Sequence, residues 1–174
     1  CVIIAAMNGT NEQRQHLKSI RLSREQLPTD PLILWAQWLQ DAQEAALPHP
    51  TAMSIATVSA DGFVSSRMVI LRYVDARGFV FFTGLETQKA REISENKNVA
   101  LLFPWLGLDR QVRVAGTAVS LPKTESLKFF MSRSRGSQIG SWLAQSSDVI
   151  SSRSIMQSKL AALKQKFGDG QVPF

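Results

Sequence analysis

The spacing of apolar residues along the chain changes from helical to alternating after the first fifty positions. Trp35, Trp38, Leu39, Ala42 and Ala46 recur at three- and four-residue steps, which predicts an amphipathic helix over 31–46. Asp30-Pro31 supplies an N-cap and a proline at the first helical position, and Pro48 and Pro50 stop the element. From Ala52 the period becomes two, and 53–58 predicts a strand. Ala60-Asp61-Gly62 is a turn in which Asp-Gly supplies the positive φ of a tight hairpin. A second strand follows over 63–73, a turn over 75–78 and a third strand over 79–83. A short helix over 87–96, with Ala90 and Ile93 inward, leads to two more strands over 99–105 and 111–121. Pro122 opens a helix carrying Leu127, Phe129, Phe130 and Met131. A short helix is expected over 137–144, and a polar, Lys-bearing one over 152–167 with Ile155, Leu160 and Leu163 on one side. Residues 1–27 are polar without clear periodicity and read as a mobile arm ahead of a single domain over 28–174.

Strands joined by tight turns, with helices inserted between them, predict a mainly β chain with helices (α+β) built around a small antiparallel barrel. A doubly wound parallel sheet would alternate strand and helix throughout, and 52–83 does not. The length of 174 residues suits one domain with a real core. At 44% apolar and 20% charged, the composition is globular and argues against disorder.

The single cysteine, Cys1, excludes an internal disulfide and every multi-cysteine zinc site, which fits a reducing, cytoplasmic setting. His16 and His49 stand alone, so no metal is expected. No apolar run approaches the roughly 20 residues of a membrane span, and 2–6 lacks the basic flank of a signal peptide. Met7 reads as a possible true start, with 1–6 as upstream sequence, and the end at Pro173-Phe174 as abrupt. Gly-x-Ser-x-Gly, Walker and Gly-x-Gly-x-x-Gly patterns are missing, which removes the usual support for hydrolase, nucleotide-hydrolysing and dinucleotide readings. The net charge of +6 admits nucleic acid, acidic lipid or a phosphorylated small molecule. The arginines lie on apolar strands rather than along an exposed stripe, which favours the small molecule over nucleic acid.

Four clusters could carry chemistry. Ser65-Ser66-Arg67-Met68-Val69-Ile70-Leu71-Arg72 places two arginines on an otherwise apolar strand, where each needs an anionic partner. A phosphate suits the planar guanidinium fork; pairing with Asp75 or Glu92 is the alternative. The odd spacing of 67 and 72 puts the two on opposite faces unless the strand bends. Phe82-Thr83 ahead of Thr87-Gln88-Lys89 offers free helix N–H groups and an ammonium to a phosphate. Asp109-Arg110-Gln111 sets Arg110 and Gln111 on opposite faces, and a strand glutamine can hydrogen-bond a flat heteroaromatic edge or sit solvated. Ser132-Arg133-Ser134-Arg135-Gly136-Ser137-Gln138-Ile139-Gly140-Ser141-Trp142 is either a second phosphate cradle before a helix or a basic surface loop.

Taken in order, Asp30-Pro31, Thr51-Ala52-Met53, Ser66-Arg67-Met68-Val69, Gly78-Phe79-Val80-Phe81-Phe82-Thr83, Leu101-Leu102-Phe103-Pro104-Trp105, Arg110-Gln111-Val112, Ser132-Arg133 and Ser137-Gln138-Ile139-Gly140 resemble the pyridoxamine 5′-phosphate oxidase family from about Leu27 to Pro173. The resemblance implies an antiparallel, Greek-key-like split β-barrel that binds flavin mononucleotide (FMN) at a homodimer interface. It implies FMN contacts from Arg67, Met68, Val69, Ile70, Leu71, Arg72, Phe82, Thr83, Gln88 and Lys89 of one subunit, and from Gln111, Ser146 and Ser147 of the other. Arg72, Phe129, Arg133 and Ser137 would occupy the positions that hold the substrate phosphate. The implied reaction oxidises pyridoxamine or pyridoxine 5′-phosphate to pyridoxal 5′-phosphate, with O2 as acceptor and hydrogen peroxide as product, in vitamin B6 salvage.

The chain departs from that family pattern at several of these positions. Arg72 stands where lysine is usual, Phe82 and Phe129 where tyrosine is usual, Gln88 where arginine is usual and Ser146 where glutamine is usual. Arg14-Gln15-His16-Leu17 lacks the family's Arg-Glu-Tyr pattern. The family's later Trp-Gly-Gly and Arg-Leu-His-Asp-Arg segments, which carry the remaining catalytic arginine and histidine, do not occur, so no catalytic residue is assigned here. These departures leave a second expectation, a non-catalytic or weakly active protein that binds FMN or pyridoxal phosphate.

Overall fold

The computed structural model describes the backbone of residues 3–145 and 152–174, and side chains within 11–143 and 152–174. Five strands form one sheet: β1 (Ala52–Val58), β2 (Val64–Asp75), β3 (Gly78–Phe81), β4 (Asn98–Trp105) and β5 (Arg110–Thr117), in the order β3-β2-β1-β4-β5. Three consecutive strands run as a meander, and the fourth returns beside the first, which is the Greek-key arrangement. β1 pairs antiparallel with β4, Ile55 facing Leu101, and β2 pairs antiparallel with β3. The helices are α1 (Ile3–Ser19), α2 (Pro31–Glu44), α3 (Gln88–Glu95), α4 (Lys123–Ser132), α5 (Arg135–Gln145) and α6 (Arg153–Phe167). The third strand ends at Phe81 and the fifth at Thr117, earlier than the sequence suggests, so Phe82 and Thr83 lie in the connection to α3.

Contacts divide the chain into two units. The first comprises Cys1–Ala56, Ser66–Phe81 and Ala100–Ala115. α2 begins where the sequence places it: the Asp30 carboxylate accepts the Leu32 N–H at 2.9 Å, with Pro31 at the first position. Trp35 and Ala42, seven residues apart, are its buried positions. Trp35 meets Phe79 edge-on at 5.1 Å and Phe103 at 5.8 Å, geometry that aromatic quadrupoles favour. Met53 and Ile55 alternate inward along β1, and Leu101, Phe103 and Trp105 do so along β4. The Trp105 indole N–H donates to the Pro50 carbonyl at 2.8 Å.

Within the segment read as an arm, Ile3–Ser19 is helical and buries Leu17. Arg14 donates to the carbonyls of Ala45 at 2.8 Å and Ala46 at 2.9 Å, and Lys18 pairs with Asp109 at 3.2 Å. Polar contacts from Arg14 and Lys18 help to anchor α1, and Leu17 is its one buried apolar position among the described residues, too little for periodicity to detect.

The second unit comprises Thr57–Ser65, Phe82–Val99 and Gly116–Phe174. The turn after β1 closes through Ser59 N–H to the Phe63 carbonyl at 2.9 Å, and Gly62 takes the φ of +89° that favours glycine there. α4, α5 and α6 meet in a core of Phe130, Ile139 and Val172, packed by Trp142, Leu160, Leu163 and Phe167. Leu160 and Leu163 therefore face inward as the spacing suggests, whereas Ile155 is exposed. In α3 Glu92 is the buried residue and Ala90 and Ile93 are half-buried, while Gln88, Arg91, Ser94 and Glu95 are exposed, so the apolar pattern finds part of the inner face but not its buried acid.

Candidate functional site

The two units hold different parts of the expected constellation. In the first unit, β2 alternates as a half-buried strand should, with Arg67 and Val69 half-buried, Leu71 buried, and Met68 and Ile70 exposed. The Arg67 guanidinium donates to the Ile55 carbonyl at 3.3 Å, and the Ser66 hydroxyl lies 2.6 Å from that of Ser54. Leu71 donates its N–H to the Thr51 carbonyl at 2.9 Å, which fixes the strand just before Arg72.

Arg72 itself is exposed and falls at a break in register. Leu71 faces Phe81, but Tyr73 already faces Val80, so β2 takes two steps where β3 takes one. Such a bulge bends the strand locally. Arg72 is the extra residue of that bulge and lies exposed, whereas Arg67 lies half-buried on the face of Val69 and Leu71.

Asp75 and Glu92, the alternative partners of these arginines, are engaged elsewhere as well. Asp75 accepts the Arg77 backbone N–H at 2.8 Å and its guanidinium at 2.7 Å. The Arg77 side chain, then its backbone N–H, holds the Asp75 carboxyl below its ordinary value.

Gln111 is exposed on β5, while Arg110 turns inward. The Arg110 guanidinium pairs with Asp41 at 2.5 Å, donates to the Leu17 carbonyl at 3.1 Å and lies 4.9 Å from the Trp38 ring centre. The Arg110-Gln111 motif thus separates into a structural arginine and a solvent-facing glutamine.

In the second unit, α3 begins after Thr87, whose hydroxyl turns back to the Gly84 carbonyl at 2.8 Å instead of capping the helix. The Lys89 ammonium donates to the Thr83 hydroxyl at 3.2 Å, and the Thr83 and Thr87 hydroxyls are 3.3 Å apart. One cation and two hydroxyls thus converge at a helix start, the donor set a phosphate needs. Gln88 faces differently: its amide donates to the Glu92 carboxylate at 2.7 Å.

Phe82 stacks on Phe129 with centroids 3.8 Å apart and planes 8° from parallel. The Arg133 guanidinium lies 5.7 Å from the Phe129 centroid and donates to the Ser141 hydroxyl. At the start of α5 the Ser134 hydroxyl donates to the Ser137 hydroxyl at 2.9 Å. Three of the four expected substrate-phosphate positions, Phe129, Arg133 and Ser137, therefore belong to this unit, and Arg72 to the other.

The rest of the fourth cluster is architectural. Arg135 donates to the carbonyls of Phe167, Gly168 and Gly170 and so closes the C-terminal end of α6. The Gln138 amide donates to the Phe130 and Arg133 carbonyls, both at 3.1 Å. Ser146 and Ser147 lie outside the described residues.

Sequence reasoning passed over Glu92 as anything but a counter-ion. Its four-residue spacing from Gln88 on a short helix was the available signal. Among the described residues, no group of three His, Cys, Asp or Glu side chains gathers to hold a metal, and no helix is long and apolar enough to cross a membrane.

The family model for pyridoxamine 5′-phosphate oxidase matches residues 39–167. The pyridoxine/pyridoxamine 5′-phosphate oxidase of Crocosphaera subtropica is 50% identical over 152 residues, covering 87% of this chain and 71% of the relative. That of Escherichia coli O157:H7 is 46% identical over 170 residues, 94% of this chain and 78% of the relative. The crystal structure of PhzG from Burkholderia lata, in complex with tetrahydrophenazine-1-carboxylic acid, superposes with a TM-score of 0.80 at 27% identity, covering 90% of this chain and 77% of that one. A pyridoxamine 5′-phosphate oxidase-related, FMN-binding protein of Nostoc punctiforme shares the fold, with a TM-score of 0.54 at 16% identity over 79% of this chain and 73% of that one.

Proposed function

Because the chain belongs to the pyridoxamine 5′-phosphate oxidase family, FMN-dependent oxidases of the split-barrel fold, we propose that it oxidises pyridoxamine and pyridoxine 5′-phosphate to pyridoxal 5′-phosphate. In this reading O2 is the acceptor, the assembly is a homodimer, the setting is the cytoplasm and the role is vitamin B6 salvage. The observation that carries it is the convergence of Lys89, Thr83 and Thr87 at the start of α3.

The residues present fit FMN. Lys89 and the two threonine hydroxyls would hold the flavin phosphate; the family resemblance assigns Arg67 of β2 to the same cofactor. Met68 and Ile70 leave an apolar face exposed on the same strand, suited to a partner subunit, from which Gln111, Ser146 and Ser147 would reach the cofactor. Arg133 would hold the substrate phosphate beside Ser137, with Phe129 packing against Arg133; the family resemblance assigns Arg72 to the same phosphate. When bound, FMN supplies the electron-accepting chemistry; this chain's residues bind, orient and exclude water. The domain that does so is taken as 28–174.

Purified protein should be yellow and should release FMN on denaturation, and should consume O2 with pyridoxamine 5′-phosphate. A colourless protein that FMN cannot titrate would sink the proposal. A non-catalytic binding role draws support from one observation, the Gln88 amide held by Glu92 at 2.7 Å. FMN binding without O2 consumption would select that reading.

A further inference from the structure

We infer that Glu92 is a positioning residue: a buried carboxylate that holds Gln88 and so locks the first turn of α3, and with it Lys89, in place for the flavin phosphate. The inference rests on the phosphate seat proposed above. Glu92 is 6% exposed, whereas Arg91 and Glu95 on the same helix are exposed. Its carboxylate accepts hydrogen bonds from three elements. The Thr57 hydroxyl of β1 donates to one oxygen, the Ser65 hydroxyl of β2 reaches both at 2.7 and 2.9 Å, and the Gln88 amide donates at 2.7 Å from one turn earlier in α3. Thr57 is itself fully buried.

Burying a carboxylate is costly unless donors meet it, and a well-packed apolar residue would avoid that cost. What the carboxylate adds is direction: it sets the side-chain rotamer of Gln88 and ties the helix start to two strands. Lys89 is the next residue, and its ammonium already donates to Thr83. A loosened Glu92 therefore moves Gln88 directly and Lys89 through the shared helical turn. Supporting side chains of this kind keep a binding group within the narrow tolerance that affinity requires.

The test is a flavin-fluorescence titration of the full chain with FMN, run beside a thermal midpoint for each variant. Glu92→Gln keeps the volume but turns an amide N–H toward groups that are themselves donors. The expected result is an FMN Kd about tenfold higher, equivalent to ~1.4 kcal/mol. Gln88→Ala should cost clearly less in the Glu92→Gln background than in the parent, because the two act as one unit. A purely structural carboxylate would lower the thermal midpoint yet leave the Kd of the folded protein unchanged and the two substitutions additive; that result overturns the inference. Lys89→Ala is the control for the underlying reading. If Lys89→Ala weakens FMN and Glu92→Gln does not, only the role of Glu92 falls; if Lys89→Ala changes nothing, the phosphate seat falls and takes this inference with it. Should Glu92→Gln fail to fold, Ser65→Ala removes one donor from the same carboxylate, and an unchanged Kd there would also overturn it.

Discussion

Replacing Arg110 by alanine should destabilise the first unit by about 3 kcal/mol. The side chain is 9% exposed and makes three contacts that alanine cannot: Asp41 at 2.5 Å, the Leu17 carbonyl at 3.1 Å and the face of Trp38 at 4.9 Å. The charge-assisted bond contributes about 1.5–3 kcal/mol and the carbonyl bond about 1. The cation–π contact adds about 0.5–1 kcal/mol. These terms are not additive, and the 27% exposure of the Asp41 side chain lets water rehydrate the orphaned carboxylate, which holds the total near the lower sum. For a chain of this length the thermal midpoint should fall by about 6–12 °C, from roughly 2–4 °C per kcal/mol. Urea unfolding followed by tryptophan fluorescence, at one fixed protein concentration, measures the loss. Limited proteolysis should cut α1 faster, since the Leu17 carbonyl is one of its anchors. The double variant Asp41→Leu with Arg110→Met should recover most of the stability, because an apolar pair avoids desolvating charge. A loss below about 1 kcal/mol for Arg110→Ala would refute the structural assignment of this arginine.

Three further outcomes are expected. Phe129→Leu breaks the 3.8 Å stack on Phe82 and should cost about 1–2 kcal/mol in urea unfolding, whereas Phe129→Tyr should keep stability within about 0.5 kcal/mol and lower the KM for pyridoxamine 5′-phosphate by adding a donor; equal stability losses would disprove the stack's contribution. Because Arg77 holds the Asp75 carboxyl below its ordinary value, the turn gains stability above the ordinary aspartate pKa and loses it as pH falls through the lowered one; Arg77→Ala should raise the Asp75 titration seen by NMR, and an unmoved curve would contradict the assigned cause. Among the described residues the buried Trp35 indole N–H meets no hydrogen-bond partner, so Trp35→Phe forfeits packing volume alone and should cost about 1–2 kcal/mol by thermal unfolding; a loss above about 4 would mean that the N–H is satisfied in solution.

The order of elements was legible because its signals are local. Asp30-Pro31 caps α2 as read, Asp61-Gly62 turns the hairpin with Gly62 at positive φ, and the alternation of Met53 and Ile55 fixes which face of β1 is inward. The Greek-key order is not local: nothing in β4 states that it returns to β1, and only the family resemblance supplied a Greek-key expectation. α1 escaped for a related reason. Its anchors are Arg14 on the Ala45 and Ala46 carbonyls and Lys18 on Asp109, partners more than thirty and ninety positions away. A helix held by distant polar contacts looks like a polar arm when only its own residues are read.

The site shows the same division more sharply, because a basic residue in a motif has two possible employers. Arg110 and Arg135 sit in two of the clusters that could carry chemistry, yet one pairs with Asp41 and the other closes the end of α6. Lys89 keeps its place beside two hydroxyls, while its neighbour Gln88 is drawn to a buried acid that no apolar pattern reveals. Charge and spacing therefore identify the segments that approach an anionic ligand but not which cation within each segment is spent on the fold. That distinction depends on where the carboxylates and unsatisfied carbonyls lie, since each buried acceptor recruits the nearest donor before any ligand arrives. In this chain Asp41 and the terminal carbonyls of α6 each claim an arginine, and Glu92 claims an amide instead. The substitution that would change the division of labour is accordingly at an acceptor, not at a cation.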